Sequence, residues 1–96
     1  MYNRRLLKTG QVSIPKKFQK ILDLKEGDYL FIYKHQKSII IVNHHNNQTL
    51  NQCIFRNGRV SIPAEIRKLI GISIETALEI TVPDSQDRII IKVATQ

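Results

Sequence analysis

The chain has no tryptophan, a single cysteine and only three tyrosines and three phenylalanines among 96 residues. With so few rings, Ile, Leu and Val must make the core. Cys53 has no partner for an internal disulfide, and a lone thiol suits a reducing compartment. The longest uninterrupted apolar run, Ile39-Ile40-Ile41-Val42, falls far short of the roughly 20 residues that a membrane-spanning helix needs. The opening stretch from Met1 to Lys8 has basic residues but no apolar segment of about 7–15 residues to make a secretion signal. A cytoplasmic protein is expected, with no membrane partner. Several chemistries are missing as well. No phosphate-cradling glycine loop and no paired catalytic carboxylates occur, and Ser13 and Ser61 recur without a recurring histidine. His44, His45 and Cys53 fall short of the three or four ligands at defined spacing that zinc wants. Neither an enzyme nor a cofactor is expected.

What the chain does have is one phrase written twice. Gly10-Gln11-Val12-Ser13-Ile14-Pro15 returns as Gly58-Arg59-Val60-Ser61-Ile62-Pro63, 48 residues later. At that offset Lys8 faces Arg56, Phe18 faces Ile66, Lys20 faces Lys68, Ile21 faces Leu69, Leu30 faces Leu78 and Ile32 faces Ile80. The chain thus reads as one supersecondary unit repeated. A unit this small buries too little apolar surface to offset its chain entropy, so the two copies must pack on each other or on another chain.

Charge is in excess and unevenly spread. The net charge is +7. Nine basic residues stand against three acidic ones through residue 48, and six against five afterwards. A small basic domain points to a polyanionic partner, nucleic acid ahead of a membrane surface; the bland alternative is a surface kept soluble by lysine.

Taken in order, Arg4 to Lys8 and Gln11 to Ile14 read as short strands around the Thr9-Gly10 turn. Pro15 suits the first position of a helix, whose apolar face is Phe18, Ile21 and Leu22. Gly27-Asp28 reverses the chain into a strand from Tyr29 to Lys34, and a hairpin returns along Ser38 to Asn43. The first repeat is therefore residues 1–43. A polar linker, 44–51, joins it to the second repeat, 52–96, in which Pro63 opens a helix with Ile66, Leu69 and Ile70 on one face and Gly71 as its cap. Leu78 to Val82 and Arg88 to Val93 make the closing hairpin around a longer loop, which leaves open which of Ile89, Ile90 and Ile91 answers to Ile39. Tyr29, Phe31 and Tyr33 lie opposite Leu30 and Ile32 on one strand, and their counterparts Ala77, Glu79 and Thr81 are small or polar. That aromatic face is expected to be buried between the copies; the alternative is a contact with another protein.

A basic strand, Gly-x-Val-Ser-Ile-Pro, a short basic helix, a Gly-Asp turn and a hairpin together resemble the AbrB/MazE/SpoVT swapped-hairpin family of bacterial transition-state regulators and antitoxins. The resemblance covers about Arg4 to Asn43 and again about Cys53 to Val93. It implies a mainly β fold with two short helices, an AbrB-like barrel built from two tandem β-β-α-β-β repeats that exchange their hairpins within one chain. It also implies a double-stranded DNA-binding transcriptional regulator, nucleoid-associated, with an antitoxin or other protein-interaction module as the alternative. Self-association or a protein partner fits either. Only Ala94-Thr95-Gln96 follow the last strand, where antitoxins of this family carry a longer tail, and this weakens the antitoxin reading.

By position, Arg4 and Arg5 fit the family's DNA-facing strand, Arg59 the basic position after the glycine, and Arg67 with Lys68 the helix pair. Lys8, Lys16, Lys17 and Lys20 are expected to hold phosphates, and Gln11 and Arg56 complete the expected DNA-facing set. Gln11 and Gln19 stand where the second copy has Arg59 and Arg67, while Gln52 and Cys53 replace Arg4 and Arg5. On this reading Arg4, Arg5, Arg59, Arg67 and Lys68 form one positive face whose two halves are not equivalent. Arginine can chelate guanine or phosphate, whereas glutamine hydrogen-bonds without charge.

Overall fold

The computed structural model describes residues 2–44 and 50–94. The elements run β1 (Tyr2–Arg5), β2 (Gln11–Ser13), α1 (Lys16–Ile21), β3 (Tyr29–His35), β4 (Ser38–Val42), β5 (Asn51–Ile54), β6 (Arg59–Ser61), α2 (Ala64–Ile70), β7 (Ala77–Thr81) and β8 (Ile89–Val93). The polar segment expected to link the repeats falls mostly on 45–49, outside the described residues.

The repeats interleave. Six strands form one antiparallel sheet in the order β1-β7-β8-β4-β3-β5, and β2 pairs with β6 in a separate two-stranded ribbon. The hairpin β3–β4 of the first repeat thus lies between β5 and β8 of the second, and β7–β8 lies between β1 and β4. The sheet's two edge strands run on into the ribbon, and the backbone bonds Leu7 N–H to Gln11 O (2.9 Å) and Arg56 N–H to Arg59 O (3.0 Å) carry the pairing around both corners. This is a hairpin-exchanged barrel, mainly β with two short helices.

Alternation along the strands fills it. Leu30, Ile32, Ile39 and Ile41 from one repeat meet Leu78, Ile80, Ile89 and Ile91 from the other, none more than 1% exposed. Each such side chain stabilises the fold by about 1.5–3 kcal/mol relative to exposure. Half of that set comes from each copy, so neither repeat has a core without its mate. Phe18 and Ile66 anchor the helices to the same cluster, and the Tyr2 ring meets Phe18 edge-on at 5.1 Å. On the outer sheet face Phe31, Ile40 and Val42 form a second cluster with Tyr33, Leu50 and Ile90. The aromatic face is therefore only partly enclosed: Phe31 is buried, Tyr33 half-buried, and Tyr29 is 65% exposed.

A pseudo-twofold axis passes between Val12 and Val60, which pair in the ribbon, and between Ile40 and Ile90, which pair across β4 and β8. This settles the last strand's register. In the two hairpins Phe31 pairs with Val42 and Glu79 with Lys92, so Ile39 answers to Ile89 and the second hairpin loop is longer by two residues.

Two sequence expectations change, and one turn keeps its geometry with other residues. Pro15 and Pro63 are cap residues, with ψ of 140° and 141°, one position before the helices. The turn Glu75-Thr76 keeps the geometry of Gly27-Asp28: Glu75 adopts φ 72° where Gly27 has 88°. Thr76 Oγ1 accepts from Ser73 N–H as Asp28 Oδ2 accepts from Lys25 N–H, at 2.9 and 2.8 Å. Finally, the 48-residue offset fails before the ribbon. Leu6 and Phe55 make the same bonds to the Thr76 and Asp28 turns, so the first copy holds one extra residue before its glycine. Arg56 is thus matched by Leu7, not Lys8, and Cys53 and Ile54, not Gln52 and Cys53, stand where the first copy has Arg4 and Arg5.

Candidate nucleic-acid interface

The ribbon presents one face outward. Val12 and Val60 point into the core, 0% and 1% exposed, so the alternate residues Gln11, Ser13, Arg59 and Ser61 must face away from it. Gln11 pairs with Ser61 and Ser13 with Arg59. Pairing continues past the strands, Ile14 N–H to Gly58 O and Ile62 N–H to Gly10 O, both 2.9 Å, so each glycine turn sits beside the strand end of the other repeat. That juxtaposition places each turn under the other repeat's helix. Arg67 Nε donates to Ile62 O (3.0 Å) while its guanidinium covers Gly10; Gln19 Nε2 donates to Ile14 O (2.7 Å) and lies against Gly58.

This crossing decides how the non-equivalent positions are shared between the two ends of the ribbon. One end of the ribbon combines Gln11 on the strand with Arg67 from the facing helix; the other combines Arg59 with Gln19. Each end carries one arginine and one glutamine, at exchanged positions. The two arginines differ in freedom, since Arg59 is exposed and Arg67 is half-buried and tied to a backbone carbonyl.

The remaining expected residues distribute around this frame. Lys8 lies in the turn closed by Gly10 N–H to Leu7 O, exposed. Arg56 bridges Arg59 in the backbone and lines a hollow with Gln11, Ser61 and Cys53. Lys20 and Lys68 are exposed at symmetry-equivalent places on the helices. Arg4 and Arg5 diverge. Register sets Arg4 beside Leu78 and Arg5 beside Ala77, on opposite sides of β1. Arg4 lies over the Tyr2 ring at 5.7 Å and donates to Asn3 O, while Arg5 Nη1 donates to Glu75 O at 2.8 Å. The two cannot share one face of that strand. What sequence reasoning missed is that Gln19 has a structural task; the matched offset of Gln19 and Arg67 was its only signal.

Burial pushes the Cys53 thiol up to about 11, so it stays protonated near neutral pH and is a packing group there. Among the described residues no three His, Cys, Asp or Glu side chains cluster as metal ligands, and no helix is long and apolar enough to cross a membrane.

A barrel of exchanged hairpins with an outward ribbon is consistent with the MazE/AbrB-like fold, that of a non-enzymatic regulatory or antitoxin domain. The chain belongs to the MazE family, described as antidote-toxin recognition, bacterial antitoxin, whose family model matches residues 6–49 and again 56–95. The structure is similar to the solution structure of PHS018 from Pyrococcus horikoshii, with 18% identity, a TM-score of 0.53, and coverage of 97% of this chain and 86% of that one; the likeness concerns the fold. No curated protein matches the sequence.

Proposed function

We propose that the protein is a sequence-preferring, double-stranded DNA-binding transcriptional regulator of AbrB-like type, with the β2–β6 ribbon facing the duplex. The observation that carries this reading is the ribbon itself: a two-stranded antiparallel element with Gln11, Ser13, Arg59 and Ser61 on its outward face. A two-stranded ribbon fits the major groove, where arginine can chelate guanine and glutamine adenine. Lys8, Arg56, Lys20 and Lys68 would hold phosphates around it, supplying affinity without sequence information. The exchanged Arg and Gln positions suit an imperfect inverted repeat, read partly through its deformability. Toxin recognition is the second reading, supported by the description of the matching family.

Fluorescence anisotropy with random and operator-enriched duplexes across a salt series tests the first reading. Binding should weaken with a log–log slope of about −0.9 per phosphate contacted. No detectable binding at low salt would leave the protein-partner reading standing.

A further inference from the structure

Four large apolar side chains are exposed among the described residues, and two of them, Leu69 (62%) and Val93 (37%), line a single groove of about 690 Å³. Its walls are the C-terminal turn of α2, the tip of the β3–β4 hairpin and the end of β8. The floor is aliphatic, from Leu69, Ile70 and Val93; the rim is cationic, from Lys34, Lys37 and Lys92. Lys92 pairs with Glu79 at 3.6 Å, but no carboxylate among the described residues comes within ion-pair reach of Lys34 or Lys37. None of the ribbon residues takes part.

The repeat supplies its own control. At the symmetry-equivalent place beside α1, Val82 stands for Lys34 and Ile21 for Leu69, and both pack against the core. Asn43, the counterpart of Val93, donates Nδ2 to Leu22 O at 2.7 Å and closes the end of α1. At α2 these groups are replaced by a lysine, an outward leucine and a valine that cannot donate. A Cβ built on Gly71 would meet nothing within 4 Å, so the groove is open there. One copy thus closes this site with its own side chains and the other leaves it apolar within and positive around.

We infer that this groove docks an acidic, amphipathic peptide segment of a protein partner, whose aliphatic side chains cover Leu69 and Val93 while its carboxylates meet Lys34 and Lys37. A nucleic acid backbone would satisfy the lysines but leave the aliphatic floor uncovered, so charge and floor together select a peptide. This inference does not depend on the DNA reading.

The test uses the full chain and a fluorescein-labelled peptide of alternating leucine and glutamate, followed by anisotropy and by backbone-amide NMR. Saturable binding is expected, with shifts confined to residues 34–38, 69–71 and 92–93. Leu69→Asp and Lys37→Glu, both at exposed positions, should each weaken it by about tenfold or more with the unfolding midpoint unchanged. The same variants should bind duplex DNA as the parent does. The inference is overturned by absent binding, by shifts on the ribbon instead, by equal binding of a leucine–lysine peptide, or by Leu69→Asp having no effect on the peptide. It is also overturned if Leu69→Asp abolishes a concentration-dependent dimer of the free protein, which would assign the groove to a second copy, or if that variant loses duplex binding.

Discussion

The guanidinium of Arg67, on the helix of the second repeat, covers Gly10 in the turn of the first so closely that a Cβ built on that glycine would stand 2.9 Å from Arg67 Cζ. Gln19 and Gly58 repeat the relationship in reverse at 3.4 Å. These two contacts lock the ends of the ribbon, because each bridging side chain also donates to the carbonyl that precedes its own helix's proline. A helix from one copy thereby fixes the turn of the other, and the surface between them has a defined shape before any ligand arrives.

Alanine at the two glycines should separate the terms. Both have left-handed backbones, φ 80° and 73°, which cost a side-chain-bearing residue about 1–2 kcal/mol. Gly10→Ala must also push the end of the Arg67 guanidinium aside, which loosens its Nε bond to Ile62 O at a cost of up to about 1 kcal/mol, whereas Gly58→Ala meets Gln19 at ordinary contact distance. Urea unfolding should therefore show Gly10→Ala as the less stable variant, with the slope unchanged. Equal midpoints would mean that the guanidinium yields to the new methyl group without cost.

Much of this was legible from the two hexapeptides. Their repetition marked the valines that pair on the pseudo-twofold axis, and the alternation of Leu30, Ile32, Leu78 and Ile80 marked the core. What the repeat could not reveal is which copy's helix covers which glycine, because exchange is a property of three-dimensional pairing. A fixed offset also hid one local length change and left a second, the longer loop, without a register. The extra residue before Gly10 is absorbed in a turn, and the longer second hairpin loop is absorbed at its tip. Neither leaves a mark on apolar spacing, yet each renumbers the equivalences, which is how Arg56 came to be matched with Lys8 and Cys53 with Arg5. Arg4 and Arg5 illustrate a simpler oversight, since neighbours on a strand point to opposite sides.

Asp23 and Gly71 end their helices in the same left-handed conformation, φ 53° and 83°. Glycine adopts it without the steric cost that a Cβ brings, so Asp23→Gly should stabilise the protein by about 0.5–1 kcal/mol. The ion pair it removes, Lys25 with Asp23 at 3.9 Å, is highly exposed and worth little. Gly71→Asp should destabilise by a similar amount. Thermal midpoints moving in opposite directions would bear out the pairing; a drop for Asp23→Gly would contradict it.

Cys53 should make stability depend on alkaline pH. Burial disfavours the thiolate and pushes the thiol up to about 11 in the fold, from an ordinary value of 9.0. Below about pH 9 both states hold the proton and Cys53 contributes no slope. As pH rises from 9 towards 11 the unfolded chain ionises and the folded one does not, so stability falls, by on the order of 2–3 kcal/mol across that window. Cys53→Ala should remove this part of the decline, seen as a shrinking difference between the two proteins' unfolding free energies as pH rises. A thiol reagent at pH 8 should label the parent chain only as it unfolds.

The exchanged arginines give the sharpest test of the DNA reading. Arg59 is exposed on the ribbon, so Arg59→Ala should leave the unfolding midpoint unchanged while reducing the salt slope of duplex binding by about 0.9, one phosphate's share, or relaxing base preference if it reads guanine. Gln11→Ala removes no charge and should leave that slope alone, with a smaller loss of affinity. Arg67→Ala should cost stability as well, about 1–2 kcal/mol, since the side chain holds Ile62 O. Anisotropy titrations at several salt concentrations, beside urea unfolding of the same three variants, distinguish a contact from a brace. If Arg59→Ala and Gln11→Ala weaken binding equally and without a change in slope, the ribbon's outward face is not where the duplex lies.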